Sequence, residues 1–198
     1  MRSLIFFLSS LLFASACYGQ HLLSFGVKGG VPVSDAFSDH TAMGVDVIIH
    51  SFSNSKNYTA GLMLELRLPL GFSVEADALY RPLNLTVDTR VFPSFTSRLS
   101  DDIHSAEFPI LGKYHFLHAP VVSPYIEAGP IFRAVGARSS YLSNDGLAIG
   151  GGVDIKLLVL RVSPEIRYSR WGKDATVTGF LAAPSNINQA EFLVGLSF

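Results

Sequence analysis

The chain has 198 residues, enough for one domain, and is 48% hydrophobic but only 16% charged, with a formal net charge of -1. Soluble domains carry about a quarter charged residues, so this chain lacks the charge for an ordinary water-facing surface, and its neutrality removes the electrostatic attraction that nucleic-acid binding needs. No internal run of 18 apolar residues is present, which excludes transmembrane helices and leaves alternating lipid-facing strands as the source of the high apolar content.

The N-terminus reads as a secretory signal over residues 1–19, which leaves one β-barrel domain over 20–198. Arg2 supplies the positive charge, Leu4 to Phe13 the apolar stretch, and Ala14-Ser15-Ala16 the small-residue site, with cleavage after Ala16 or Gly19. A membrane anchor there would be too short, and Ser9 and Ser10 interrupt it. The sole cysteine, Cys17, stands where a lipoprotein would be acylated, but Ala14 occupies the position where such signals carry leucine. With one cysteine, no intramolecular disulfide can form.

Period-two alternation then marks eight strands. Ser24 to Val31 is the first. Pro32 to Lys56 reads as a long polar loop, within which Gly44 to Ile49 is apolar enough for a strand extension above the membrane. Tyr58 to Leu68 is the second strand, and Pro69-Leu70-Gly71 a tight turn. Phe72 to about Val87 is the third, and Thr86 to Asp102 is expected to be a second long loop. Ile103 to Phe116 and Ser123 to Val135 are the fourth and fifth, joined by a short turn at Leu117 to Val121. Gly136 to Gly146 is a third loop. Leu147 to Lys156 has its polar face on even numbers and Leu160 to Trp171 on odd ones. That parity change requires a turn at Leu157 to Val159, although no Gly, Asn or Pro marks it. Gly172 to Asn188 is the last long loop, and the terminal strand closes the set. The connections alternate long and short, as the extracellular loops and periplasmic turns of outer-membrane barrels do.

Alternation alone does not say which face points inward, since a soluble lipocalin-like barrel would show the same pattern inverted. Volume decides. An eight-stranded barrel holds one packed layer of side chains, and the apolar set, with Phe25, Phe72, Tyr80, Phe108, Phe132 and Phe192 among it, is too bulky to fit. The polar parity carries the acids Glu65, Glu75, Asp77, Glu107, Glu127, Asp154, Glu165 and Glu191 and the bases Lys28, Arg67, Arg81, Lys113, Arg133, Lys156, Arg161 and Arg167. Basic residues facing the bilayer centre cost about 2–4 kcal/mol each. The charges are therefore expected inside, in equal numbers and paired. Aromatic residues segregate into two expected girdles, Phe72, Tyr114, Phe116 and Phe198 near the short turns and Tyr58, Tyr168 and Trp171 near the long loops. Pro109, Pro130 and Pro164 fall inside strands, where bulges or locally unpaired positions are required.

Catalytic chemistry has one candidate, His104-Ser105 beside Asp101 and Asp102. Neighbours on a strand point to opposite faces, so the two do not form a nucleophile–base pair. His40 and His50 with Asp35, Asp39 and Asp46 lack a recognised ligand spacing, so no metal or other cofactor is expected. Asn57-Tyr-Thr59 and Asn84-Leu-Thr86 match a glycosylation pattern by chance, and Gly150-Gly-Gly152 sits in a strand and cradles no phosphate.

Four stretches carry a family resemblance: Phe25-Gly-Val-Lys-Gly-Gly30, Pro124-Tyr-Ile-Glu-Ala-Gly-Pro130, Ser163 to Trp171, and Phe192-Leu-Val-Gly-Leu-Ser-Phe198. With them the chain resembles the small eight-stranded outer-membrane β-barrels of the OmpA/OmpX type. The resemblance implies an outer-membrane location with membrane lipid as surroundings. It implies insertion by the barrel-assembly machinery, which would read Phe192, Val194, Leu196 and Phe198, and it carries over no catalytic residues. The expected protein is an all-β, eight-stranded antiparallel up-and-down transmembrane barrel. It is monomeric and non-enzymatic, with an occluded, ion-paired interior and four surface loops that bind a partner. The competing readings are a narrow pore, a lipid-modifying enzyme and a soluble periplasmic ligand-binding barrel.

Overall fold

The computed structural model describes residues 22–37, 40–43, 47–53, 58–92, 95–117, 119, 121–135, 142–172 and 186–198. The expected signal segment, Cys17 and residues 173–185 of the expected last loop lie outside the described residues. The described strands are β1 (Leu23–Pro32), β2 (His40–Met43), β3 (Val47–Ser53), β4 (Thr59–Arg67), β5 (Phe72–Val91), β6 (Phe95–His115), β7 (Val122–Val135), β8 (Asp145–Leu157), β9 (Leu160–Trp171) and β10 (Asn188–Ser197). Eight of them, β1 and β4 to β10, form a closed antiparallel up-and-down barrel in which β10 returns to pair with β1 and β5 pairs with β6. No sheet edge is left within the closed part, which removes the pairing hazard of an open sheet.

The stagger of the barrel follows from the registers. Stepping from partner to partner, Leu23 leads to Leu66, Val74, Gly112, Ala128, Ile149, Tyr168 and Ala190. Ala190 then accepts a hydrogen bond from the amide of Val33, ten residues along the chain from the start. A stagger of ten residues over eight strands tilts them by about 40°. At that tilt the stretch from Asn188 to Phe198 spans about 25 Å, the height of the apolar band of an outer-membrane barrel.

The side chains follow the alternation. Phe25, Leu62, Phe72, Phe108, Ile126, Ile149, Ile166 and Phe192 are exposed on the outside, whereas the polar parity is buried. At the short-turn end, Phe72 stacks near Tyr114 with ring centroids 4.9 Å apart, and Phe25 near Phe198 at 6.4 Å. At the other end, Tyr58 lies 6.4 Å from Tyr80, and the Tyr168 hydroxyl donates to Asn188 Oδ1.

The three prolines are accommodated without bulges. β5 and β6 pair from Phe72 with Tyr114 to Ala76 with Ile110 and resume, in the same register, at Leu79 with Glu107; Pro109 sits in the gap. Pro130 occupies the matching gap between β6 and β7, and Pro164 the one between β8 and β9. In an antiparallel pair a residue turns both its N–H and its C=O toward one neighbour. A missing donor therefore breaks one ladder only, and each proline stays paired across the other: Pro109 with Ile131, Pro130 with Leu147, Pro164 with Val194.

Two turns depart from ordinary turn chemistry. Pro69–Gly71 is a short 3-10 turn, and the chain reverses again at Leu158 and Val159 between β8 and β9, where the parity change requires it. Leu70 (φ 65°) and Leu158 (φ 40°) are the described non-glycine residues in the left-handed region. That conformation costs an L-residue roughly 1–2 kcal/mol and is normally left to Gly or Asn.

One expectation is overturned. Thr86 to Asp102 is not a loop: β5 and β6 continue past the barrel rim as a paired ribbon up to Val91 and Phe95. β3 joins the ribbon on the β5 side, Val47 to Ser53 against Leu85 to Val91, and β2 pairs with β3. The segment is polar, yet it alternates and is rich in β-branched residues (Thr86, Val87, Thr89, Val91), which suit a strand flanked by water on one face.

Candidate functional site

The lumen is the most densely functionalised part of the described structure. Of the sixteen charges expected there, all but Arg67 and Lys156 are buried. Arg67 is half-buried, 3.8 Å from Glu65. Lys156 is exposed, correcting the expectation: it stands two residues before the β8–β9 turn and directly opposite Arg161, so a like charge and an open rim keep its ammonium in water. The equality of acids and bases fails with it, and among the buried described residues carboxylates outnumber cations.

The central tier gathers Lys28 from β1, Glu75 and Asp77 from β5, Lys113 from β6, Glu127 from β7, and Glu165 and Arg167 from β9. Lys28 Nζ lies 2.5 Å from Glu75, 3.2 Å from Asp77 and 3.1 Å from Glu165. The Arg167 guanidinium reaches Glu165 at 2.7 Å, Asp77 at 3.0 Å and Glu127 at 3.1 Å. Lys113 Nζ sits 2.6 Å from Glu75 and 4.3 Å from the centroid of the Tyr125 ring, whose hydroxyl donates to Glu165 at 2.8 Å. Four carboxylates thus meet three cations, each cation shared. A buried ion pair is expensive unless its remaining hydrogen-bonding capacity is met, and sharing meets most of it. Tyr125 is buried by room that β8 provides: a Cβ on Gly152 would lie 2.7 Å from the Tyr125 hydroxyl oxygen, and one on Gly150 2.8 Å from Glu127 Oε1.

Below this tier, toward the short turns, Arg161 binds Glu65, lies 3.0 Å from Asp154 and donates to Ser24 Oγ, while His115 Nε2 lies 3.1 Å from Asp154. Glu65, His115 and Asp154 come close enough to hold a metal ion, as do Glu75, Glu127 and Glu165. Arg161 engages the two carboxylates of the first group, and Lys28, Lys113 and Arg167 engage the second.

Toward the outer mouth, Arg133 binds Glu107 at 2.9 Å and Gln189 at 3.1 Å, and Arg81 binds Gln189 at 2.8 Å. Glu191 is buried and accepts from Thr59 Oγ1. Trp171, expected in the outer girdle, is buried in the lumen with the Arg133 guanidinium 3.6 Å from its ring centroid. Its odd number places it on the inward parity of β9, together with Arg167 and Ser169. Above these groups Ala36, Phe37, Leu83 and Leu142 form a buried apolar cluster, with Ile103 and Val135 packed against it. The segment after β1 reaches this cluster by crossing the mouth, held by the amide of Asn186 donating to Ala36 O.

His104 and Ser105 face opposite sides of β6. His104 is exposed, its Nδ1 2.6 Å from the Tyr80 hydroxyl, while Ser105 is buried and donates to Arg81 O. Their hydrogen bonds run to different partners, so they do not form a nucleophile–base pair. At the terminal strand Phe192 and Leu196 are exposed on the outside, Val194 is half-buried, and Phe198 is exposed.

A charged, filled lumen inside an apolar exterior about 25 Å tall is what a lipid-embedded barrel requires. Residues 13–172 match the family described as outer membrane protein beta-barrel domain. The chain belongs to that family. The family places it in the bacterial outer membrane, with lipid around the barrel. Among curated proteins none matches. Among solved structures the outer membrane protein OprG from Pseudomonas aeruginosa is similar in fold, with a TM-score of 0.55 and 16% identity, covering 88% of this chain and 92% of its own. OmpT, an outer membrane protein of Vibrio cholerae, aligns at a TM-score of 0.26 and 12% identity over 89% of this chain and 75% of its own.

Proposed function

We propose that this outer-membrane barrel is a non-catalytic, monomeric surface protein whose lumen is closed and whose projecting sheet is the part that meets a partner. The observation that carries the reading is the filling of the lumen from end to end. The Arg161 group, the seven-residue central tier, the Arg81–Arg133–Glu107–Gln189 group and the apolar cluster at Leu83 succeed one another along the axis. Moving ions through it would mean breaking shared, desolvated ion pairs.

Partner binding is placed on the ribbon because binding residues concentrate on elements held above a rigid scaffold. There β6 pairs with β7 only from Ser105 inward, so the described ribbon carries exposed backbone from Thr96 to Ser100. In biogenesis Phe192, Val194, Leu196 and Phe198 would be the terminal signal read by the assembly machinery.

The test is a planar-bilayer recording of the purified, refolded barrel. A quiet trace is expected; sustained single-channel conductance would replace this reading with that of a narrow pore. A loss of lipid-hydrolysing activity on His104→Ala would instead establish an enzyme.

A further inference from the structure

The short-turn end of the barrel is capped with bulky apolar residues where water-facing turns carry Gly, Asn, Asp or Ser. Leu70 is 85% exposed, Leu158 fully so, and Val159 84%. Phe116, Leu117, Val121 and Leu157 are exposed beside them. Leu70 and Leu158 are also the described non-glycine residues in the left-handed region. Leucine is disfavoured at such a position twice over, by its Cβ and by its apolar surface, if the turn faces water. The same choice is sensible if the turn faces lipid. The turns also continue an established apolar surface: Leu160, Phe72 and Phe198 end the lipid-facing rows, and Leu158 and Leu70 lie two residues beyond Leu160 and Phe72. The rows from Arg170 to Leu160 and from Asn188 to Phe198 already span about 25 Å at the barrel's tilt, so the turns fall at the headgroup level of the inner leaflet.

We infer that the periplasmic turns at Leu70 and at Leu158–Val159 are anchors that enter the glycerol and headgroup layer of the inner, phospholipid leaflet. The turns would fix the height of the barrel in the membrane. This inference rests on the outer-membrane placement and is independent of whether the lumen conducts.

The experiment places a nitroxide at Leu158→Cys in a Cys17→Ser background, which leaves no other thiol in the chain. The barrel is reconstituted in phosphatidylcholine–phosphatidylethanolamine vesicles. Folding is checked by heat-modifiable migration, and collision with oxygen is compared with collision with a water-soluble nickel chelate. At Leu158→Cys the ratio of oxygen to nickel collision is expected to exceed that at an aqueous loop position, and the same at Leu70→Cys, which serves if the first variant misfolds. Nickel collision as frequent as at an aqueous loop position would overturn the inference and leave the turns as a docking face for a periplasmic protein. A conductance trace from the same vesicles reports separately on the closed lumen.

Discussion

Arg133 lies over Trp171, its guanidinium carbon 3.6 Å from the ring centroid, while the same guanidinium binds Glu107 and Gln189. The one tryptophan of the chain therefore reports on the lumen and not on the membrane surface. Its emission should be blue-shifted, insensitive to brominated lipid and protected from iodide. Arg133→Gln should remove a cation–π contact worth about 0.5–2 kcal/mol and shift the emission, which a spectrum of the refolded variant would show. Strong quenching by brominated lipid would return Trp171 to the outer girdle.

Arg167 binds three carboxylates within 3.1 Å in a fully buried position. Arg167→Ala leaves them uncompensated, and breaking a buried ionic group by removing one partner costs about 3–5 kcal/mol. Adding Glu127→Gln should recover part of that loss, because one stranded charge is then removed. Urea unfolding in phospholipid vesicles measures both; additive losses would show that the two residues do not share the network.

Gly152 and Gly195 face the same lumen and should behave differently. A Cβ at Gly152 would lie 2.5 Å from Pro164 O and 2.7 Å from the Tyr125 hydroxyl, one backbone atom and one held side chain. Gly152→Ala should therefore cost about 1–3 kcal/mol, as overpacking does. At Gly195 the nearest atom is Met63 Sδ at 3.0 Å, on a flexible thioether that can rotate away. Gly195→Ala should be tolerated. Equal losses in urea unfolding would contradict the packing described for Tyr125.

On the ribbon Arg98 grips Asp88 with two hydrogen bonds, 2.7 and 2.8 Å, and this holds the Asp88 carboxyl below its ordinary value of 3.8. A depressed folded value means the contribution is present above pH 3.8 and lost as pH falls through the lower value. Amide exchange of the ribbon, corrected for its intrinsic pH dependence, should be flat from neutral pH down to about pH 4 and faster below it. High salt should weaken the effect, since both side chains are in contact with water.

Much of the barrel was legible because lipid and a narrow lumen impose opposite chemistries on alternate residues. The parity of Lys28, Glu75, Glu165 and Arg167 could be read directly, and the parity break at Leu157–Val159 located a turn that no turn residue announces. Trp171 stands close to a long loop, which suggests the girdle, but its odd-numbered parity places it in the lumen. Tyr125 was missed for a different reason: an aromatic residue inside so small a barrel depends on Gly150 and Gly152 standing opposite on β8, a cross-strand fact that one strand's sequence does not contain. Leu79 and Leu193, which break the pattern of their strands, are fully buried and fill the lumen beside the ionic groups. The polarity of the ribbon signals water and so suggests a loop, while only its pairing partner reveals that the backbone is extended. Lys156 followed the parity of β8 correctly but ran out of barrel to be buried in.

The central ionic tier draws its members from β1, β5, β6, β7 and β9, so no single hairpin holds the whole of it. While the strands are entering the bilayer, Lys28 waits for carboxylates on β5 and β9, and Glu127 for a guanidinium two strands away. Glu75 and Lys113 can pair within the β5–β6 hairpin and Glu165 and Arg167 on β9, but Lys28 meets Glu165 across the seam, once β10 has joined β1. Completion of the tier and closure of the seam are thus one event, and the last water of the lumen should leave as β10 joins β1.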